Sequence, residues 1–344
     1  MTETTTTPTT TEQAAAPVRR SAATAWAAWI ARRLAMALGT LWLCSVLVFF
    51  ATAALGDPVR AILGKDYGTS PERVAQLREQ LQLDEPVITR YLDWLGGLLT
   101  GNLGTSIVNG RPVGSLVGDR IVNSAVLVLI AALVMIPIAF GIAMISANYR
   151  GKRTDNAIQI VLLTLAGLPE FVVGILLVAL FSTTVLHVLP AVTIAAGGSP
   201  PWHNPASMIL PVATLVIAVA PYVSRIVRSS LLEVLDSDYV ELARLKGIPE
   251  RVVMRKHALL NAIVPGIQVI ALQLAWLAGG IVIVEYLFSY PGVGASLVDS
   301  VRNSDFPMVQ VLAMTIAAVY VGVNLVADLL SILFTPRART AISS

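Results

Sequence analysis

The sequence predicts an all-α polytopic membrane protein with six transmembrane helices. Two features of its composition predict this class: 56% of its 344 residues are hydrophobic and only 13% are charged. Soluble proteins carry about 25% charged residues, so this composition excludes an ordinary soluble domain. The third feature is a set of separate apolar runs, each close to the length of about 20 residues that a helix needs to cross a bilayer.

The first apolar run, at 30–55, is too long for the apolar region of a signal peptide, which covers about 7–15 residues. We therefore interpret it as a retained membrane anchor. The preceding residues, 1–24, are rich in Thr, Ala and Pro and predict a disordered tail, and a second tail follows at 334–344. The other predicted transmembrane helices lie at 121–147, 156–181, 207–227, 266–288 and 308–333.

Prolines occur inside several of these runs. Neighbouring helices in a membrane protein can satisfy the backbone groups that a proline leaves free, so each run is still predicted as one helix. The prolines are Pro137, Pro169, Pro211 and Pro221.

The polar region at 56–120 separates the first two predicted transmembrane helices. It contains two helical patterns, at 71–83 and 86–99, and the second carries Tyr91 and Trp94. Aromatic side chains suit the boundary between membrane and water, although a helix packed on neighbouring spans would have the same composition. The region is predicted to be an extracytoplasmic insertion.

The distribution of Lys and Arg predicts the orientation. The loop at 225–256 has seven basic residues and the loop at 148–155 has three, whereas the loops at 182–206 and 289–307 contain only Arg302. Basic residues concentrate in short cytoplasmic loops, and long segments such as the insertion are largely exempt from this rule. Both termini are therefore predicted to be cytoplasmic. Because the basic residues are spread over short loops, the pI near 9.1 does not indicate nucleic-acid binding.

A short polar helix is predicted between the fourth and fifth spans. Asp238 and Glu241 have the spacing of a capping box, which starts a helix. Gly247 can adopt the left-handed conformation that ends a helix, and Pro249 cannot continue one. An isolated helix of about two turns is marginal in water, so either the membrane helices or a partner must hold it.

Four residues of this helix recur at i, i+3, i+4 and i+7 and so share one narrow face, while Glu241, Arg244 and Leu245 point elsewhere. One interpretation is an ordinary capped connector between spans. The other is a docking face for a partner. The four residues are Tyr239, Leu242, Ala243 and Lys246.

No catalytic set is recognisable in the sequence. The chain lacks the G-x-x-x-x-G-K-[ST] pattern that binds ATP phosphates, and it has no zinc or dinucleotide motif. Its three histidines are far apart, and its single cysteine, Cys44, cannot form an intrachain disulfide. The chain is therefore not predicted to be an enzyme, to hold a metal or to bind a cofactor.

Three carboxylates lie within the predicted spans, where a charge is costly and usually faces a bundle interior or an aqueous path. Glu170 and Glu285 are placed in the outer half and are candidates for contact with a passing substrate, such as the ammonium group of a peptide. The alternative is that they bond to neighbouring backbone or hydroxyl groups and only fix helix packing. Asp328, near the inner interface, is predicted to be structural.

Several motifs resemble those of one family. The segments 239–247 and 255–265 resemble the EAA loop of the permease subunits of binding-protein-dependent ABC importers, in the version typical of dipeptide and oligopeptide permeases. The turn motif at 285–294 and the Gly56-Asp57-Pro58 motif of the insertion resemble those of B-type peptide permease subunits. Leu242, where many relatives have Ala, is a departure from the pattern.

This resemblance implies the type I ABC importer permease fold, with a core at 121–333 and a coupling loop at 228–265. In that family the short helix sits in a groove of the ATPase subunit. The resemblance thereby assigns ATPase coupling to Tyr239, Glu241, Leu242, Ala243, Lys246 and Gly247.

The resemblance also implies partners. These are a second, homologous permease subunit, two ATP-binding subunits or one fused pair, and an extracytoplasmic solute-binding protein, all at the bacterial cytoplasmic membrane. ATP and Mg²⁺ would bind to the partner ATPases, while this chain would contact lipid and no nucleic acid.

The expected function is therefore import of peptides by alternating access, driven by ATP hydrolysis on other subunits. The same architecture could instead carry nickel, glutathione or haem. A self-contained channel or ion-coupled secondary transporter, using Glu170 or Glu285, is the alternative from another class.

Overall fold

The structure is a computed structural model that describes residues 22–54, 59, 63, 71–80, 83–193 and 199–334. Within these ranges the chain is helical and has no β-strand, although a single antiparallel bridge joins Thr105 and Pro112. This confirms the all-α class.

The helices are numbered in chain order. A π-helical turn, Ala179–Thr183, extends α6, and a π-helical segment, Val253–Ala258, precedes α9. The helices are α1 (Ala22–Ala54), α2 (Pro71–Gln80), α3 (Val87–Thr100), α4 (Val113–Asn148), α5 (Arg153–Ala166), α6 (Glu170–Val178), α7 (Pro205–Leu235), α8 (Asp238–Leu245), α9 (Leu259–Leu287), α10 (Val293–Arg302) and α11 (Phe306–Phe334).

Helix α7 is the centre of the bundle. It packs against α4 and α9, and its apolar side chains, such as Leu215 and Val223, meet Leu127 and Met135 of α4 in one buried cluster. In its most apolar stretch 67% of the residues are buried, compared with 11% for α1. The burial therefore places α7 inside the bundle and α1 at its periphery.

Helix α1 reaches the bundle mainly through α11, which in turn packs on α9. Near one end of this pair Arg33 and Asp328 form an ion pair with a nitrogen-to-oxygen distance of 2.9 Å. Asp328 is thus a packing group between two helices, as the sequence predicted.

Four helices, α1, α4, α7 and α11, are long and apolar enough to cross a membrane, counting described residues only. The bent pair α5 and α6 adds a fifth if it makes one crossing. Helix α9, with 29 residues, covers the predicted fifth span at 266–288.

The prediction of one uninterrupted helix at 156–181 is wrong. Helix α5 ends at Ala166, α6 starts at Glu170, and the two axes are bent by 100°. Pro169 has no N–H to donate and disfavours a helical conformation at Leu168, so the chain breaks there. By contrast, Pro137 lies inside α4, and Pro211 and Pro221 lie inside α7, as predicted.

Other predicted boundaries differ by a few residues. Helix α4 begins at Val113, directly after Pro112, so the last eight residues assigned to the insertion already belong to this helix. Helix α1 begins at Ala22, inside the predicted tail. The rest of that tail and the residues from 335 onward lie outside the described residues.

Candidate functional site

The short helix predicted between the fourth and fifth spans is present as α8, Asp238–Leu245. Its start differs from the prediction, because Ser237 is the residue before the helix and Asp238 is already the first helical residue. The Ser237 hydroxyl donates backward to the carbonyl of Val234 in α7. The prediction of a capping box between Asp238 and Glu241 is therefore wrong, and no side chain caps the start of α8.

The end of α8 agrees with the prediction. Gly247 has a φ of +75°, the left-handed conformation expected after the last helical turn. The Gly247 N–H donates to the carbonyl of Arg244 (2.9 Å) and the Ile248 N–H to that of Ala243 (3.2 Å). These two bonds define a Schellman motif, which satisfies carbonyls that the helix leaves free.

Helix α8 has one buried and one exposed face. Val240 and Ala243 are buried in the main cluster, together with Val253 and Met254 of the π-helical segment. Ala243 is therefore turned toward the chain itself.

The exposed face of α8 is unusually apolar. Tyr239, Leu242 and Leu245 are 44%, 53% and 79% exposed, and Glu241 and Lys246 are exposed beside them. The sequence analysis had placed Leu245 away from this face. We call Tyr239, Leu242 and Leu245 the apolar face of α8.

Arg244 fastens α8 to the segments on both sides. Its guanidinium donates to the carboxylate of Glu250 (2.7 Å) and to the carbonyl of Leu235 at the end of α7 (3.3 Å). The hydrogen bond from Arg244 lowers the pKa of Glu250. The pair therefore stabilises the loop above the ordinary pKa of a glutamate and loses this effect as the pH falls through the lowered value.

A buried ion pair links α7 to α5 at the same end of the bundle. The Asp155 carboxylate, almost fully buried, accepts hydrogen bonds from Arg228 Nε (3.0 Å) and Nη2 (2.6 Å). It also accepts bonds from the Ser146 hydroxyl of α4 and from the Gly151 N–H (3.1 Å). One carboxylate thus joins α4, the turn after it, α5 and α7.

A second ion pair joins the turn after α4 to the end of α7. Arg150 Nη1 contacts both carboxylate oxygens of Asp236, at 2.7 and 2.8 Å, but both side chains are more than half exposed. The sequence analysis did not identify either pair. The position of Asp155 in the first turn of a helix after a basic loop was the only local signal.

Glu285 is fully buried near the end of α9, and the described structure satisfies its carboxylate completely. Oε2 accepts the backbone N–H groups of Gly294 (2.7 Å) and Ala295 (3.2 Å), and Oε1 accepts the Ser124 hydroxyl of α4. Ser124 in turn accepts the Val293 N–H (2.9 Å). Together these two side chains cap the first three N–H groups of α10, whose dipole favours a negative charge there.

Glycines make this cap possible. A Cβ on Gly292 would lie 2.1 Å from the Glu285 carboxylate, and a Cβ on Gly294 would lie 2.4 Å from the backbone of Val282. The glycines of the turn motif thus allow α10 to approach α9 closely. This geometry supports the packing alternative for Glu285 over contact with substrate.

Glu170 is the first residue of α6 and lies directly after the break at Pro169. It is half-buried, and no hydrogen bond or ion pair to its carboxylate occurs within the described ranges. Helix α6 packs on α7 and α9, where Gly174 faces Leu287 and Thr214. The structure thus places Glu170 in a helix beside the one that carries Glu285.

We expect Glu285→Ala to lower the melting temperature of the purified chain, because each buried donor left unpaired costs about 1–3 kcal/mol. Glu285→Gln keeps one acceptor oxygen and should have a smaller effect. The matched control is Glu233→Ala, an exposed carboxylate on α7, which should leave the melting temperature unchanged. An unchanged melting temperature in Glu285→Ala, combined with a loss of transport, would instead place Glu285 on the substrate path.

Within the described residues no group of three or more His, Cys, Asp or Glu side chains could hold a metal ion. The polar clusters found, around Asp155 and Glu285, are closed hydrogen-bond networks. By contrast, the apolar face of α8 is exposed and can be reached by an outside molecule.

The chain matches two family descriptions. Residues 139–340 match the binding-protein-dependent transport system inner membrane component, and residues 27–120 match the N-terminal part of such components. Together the two matches include α8, Glu285 and the insertion.

Individual relatives align along nearly their whole length. The glutathione transport system permease protein GsiC of Salmonella typhimurium is 34% identical over 312 residues, which are 90% of this chain and 98% of the relative. The protein of the same name from Escherichia coli K12 is 32% identical with the same coverage. A probable peptide ABC transporter permease protein, y4tP, of Sinorhizobium fredii is 32% identical over 314 residues, 90% of this chain and 99% of the relative.

Proposed function

This chain belongs to the family of binding-protein-dependent transport system inner membrane components, and from that premise we propose how it works and what it carries. It is a multi-pass permease subunit of an ATP-driven ABC importer in the inner membrane. Its cargo is a short peptide, and α8 is the element through which ATP hydrolysis on a partner drives the transport cycle.

The observation that carries the coupling role is the apolar face of α8. Large apolar side chains exposed on a membrane-spanning helix can contact lipid. Helix α8, however, lies among charged groups, including Arg244, Glu250 and Asp236, at an end of the bundle where the chain is polar. Apolar side chains exposed in such surroundings mark a protein contact, and a few buried anchors usually dominate the affinity of one.

The orientation proposed for α8 is cytoplasmic. The loops at this end, 148–155 and 225–256, hold most of the basic residues of the short loops, which agrees with the distribution expected on the cytoplasmic side. ATP-binding subunits could then reach α8. The proposed assembly has a second, homologous permease subunit, two ATP-binding subunits or a fused pair that hold ATP and Mg²⁺, and an external solute-binding protein.

Movement of α8 would be transmitted by the contacts that fasten it. Val240 and Ala243 pack it on the segment leading into α9, and Arg244 joins it to the end of α7. The ion pair between Asp155 and Arg228 then joins α7 to α5, which is the first helix of the bent pair α5 and α6. A push on α8 would therefore reach α7, α9 and the bent helices together and could switch access between the two sides.

The names of the relatives support a peptide cargo. Glutathione is itself a tripeptide with a γ-linked glutamate, so the glutathione and peptide systems named above share a substrate chemistry of amide bonds, an ammonium group and carboxylates. Nickel and haem, which the architecture could also serve, lack this support.

The test is reconstitution of the chain in liposomes with its second permease subunit, ATPases and binding protein. We expect labelled glutathione or a di- to pentapeptide to accumulate only when ATP is present with the ATPases. Uptake that persists without the ATPases and follows an imposed ion gradient would favour the secondary-transporter alternative. ATP-driven uptake of nickel or haem, but of no peptide, would overturn the proposed cargo and leave the importer assignment intact.

A further inference from the structure

Helix α3 of the insertion carries an apolar surface that the importer mechanism does not use. We propose that α3 lies along the membrane surface, with Ile88, Leu92 and Leu99 in contact with lipid acyl chains. The insertion would then be a membrane-attached element at this point.

The side chains of α3 are segregated around its axis. At about 100° per residue, Ile88, Leu92 and Leu99 fall within about 40° of one another. Thr89, Asp93 and Thr100 also fall within about 40° of one another, and this second group is centred about 100° around the axis from the first. The three apolar residues are 69%, 58% and 80% exposed. The three polar residues are exposed as well, so α3 presents an apolar and a polar face to its surroundings.

A third side of α3 is attached to α1, which fixes where the other two point. The Tyr91 hydroxyl shares a 2.9 Å hydrogen bond with Ser45 Oγ, and both residues are buried. The Tyr91 and Trp94 rings lie 5.5 and 5.6 Å from the Phe49 ring, measured between centroids. The exposed apolar face therefore lies beside α1 and does not turn freely.

The position of this attachment along α1 indicates the depth of α3. Ser45 lies nine residues before Ala54, the last residue of α1, which is about 13 Å along the helix axis. The apolar stretch of α1, Trp26–Ala54, extends past this point. Helix α3 thus contacts α1 within its apolar part, where Leu47 and Phe50 of α1 are also exposed.

The length of α3 excludes a membrane crossing. Its 14 residues span about 21 Å, short of the roughly 30 Å of the hydrocarbon core. A left-handed Gly101 ends the helix, so it does not extend further. A short helix with separate apolar and polar faces, held beside a membrane span, is typical of elements that lie in the interface between lipid and water.

Site-directed spin labelling of the full chain in lipid nanodiscs tests this proposal. In a Cys44→Ser background, single labels at Ile88→Cys, Leu92→Cys and Leu99→Cys are compared with matched labels at Thr89→Cys, Asp93→Cys and Thr100→Cys. Collisions with oxygen report lipid, and collisions with a water-soluble nickel chelate report water. We expect the depth parameter to be positive at the first three positions and negative at the second three.

Two results would overturn the proposal. A negative depth parameter at Ile88, Leu92 and Leu99 would place this face in water. Exclusion of both reagents would show that protein covers it, either another subunit or a second copy of the chain.

The unmodified chain provides a second measurement that does not depend on cysteine variants. A phospholipid with a photoactivatable diazirine in its acyl chain should label the peptide Val87–Thr100, at the three apolar positions. Absence of this label, with α1 labelled in the same sample, would also contradict a lipid contact.

Discussion

Replacing Leu242 and Leu245 by glutamate together should abolish ATP-driven uptake while leaving the chain in the membrane. Both side chains are more than half exposed, so the substitutions bury no charge within the chain and its fold should be retained. In a docked complex the same charges would lie in an apolar contact, where loss of a central anchor costs about 2–4 kcal/mol or more. The measurements are uptake in proteoliposomes, co-purification of the ATPase subunits and the amount of chain in the membrane fraction.

The matched control for this double variant is Val252→Glu. Val252 is an exposed apolar residue of the same loop, but it lies beyond the Schellman turn and outside α8. We expect Val252→Glu to retain uptake. Normal uptake in Leu242→Glu/Leu245→Glu, with the chain at its usual level, would remove the coupling role from the apolar face of α8.

The second large effect is expected for Asp155→Asn. Arg228 would keep its charge and lose its partner, and breaking a buried ion pair costs about 3–5 kcal/mol, less here because the Arg228 side chain is 20% exposed. We expect a lower melting temperature and fewer substrate molecules transported per ATP hydrolysed. The second readout separates transmission of movement from simple loss of stability.

Two further variants sharpen this test. Arg150→Ala removes the exposed pair with Asp236, which is worth at most about 1 kcal/mol, and should leave both readouts nearly unchanged. The exchange Asp155→Arg with Arg228→Asp should recover part of the loss seen in either single variant, as expected for directly coupled residues. If Asp155→Asn retained the normal ratio of transport to hydrolysis, the pair would have only a structural role.

The sequence was sufficient for the elements that local signals determine. Composition and apolar run length predicted the helical membrane class, and the structure has long helices over five of the six predicted spans. The end of α8 was predictable as well, because a left-handed glycine followed by proline is a local stop signal that needs no tertiary contact.

The start of α8 and the break at Pro169 could not be predicted, because the local sequence pattern was compatible with more than one structure at each position. Ser237 and Asp238 are both good N-cap residues, and their order in the chain does not decide which one precedes the helix. At Pro169 the prediction allowed a proline inside a membrane helix, and the structure breaks the helix there. Gly167, the residue after the last residue of α5, precedes Pro169 by two positions, whereas Pro137 follows Met135 and Ile136 and is accommodated inside α4.

The networks that fasten the site could not be predicted. Asp155 meets Arg228 across 73 positions of sequence, and Glu285 meets Ser124 across 161. Such pairs follow from the three-dimensional packing of helices, and sequence spacing within one helix carries no information about them. For Glu285 the sequence left two alternatives open, and the geometry favours packing.

The central claim is that the apolar face of α8 contacts an ATPase subunit, and photo-cross-linking tests it most directly. A benzophenone maleimide is attached at Leu245→Cys in the Cys44→Ser background, within the assembled complex in proteoliposomes, with Val252→Cys as the control position. We predict a covalent adduct between Leu245→Cys and an ATP-binding subunit, and a much weaker one from the control. An adduct with the external binding protein, or with lipid alone, would contradict the account.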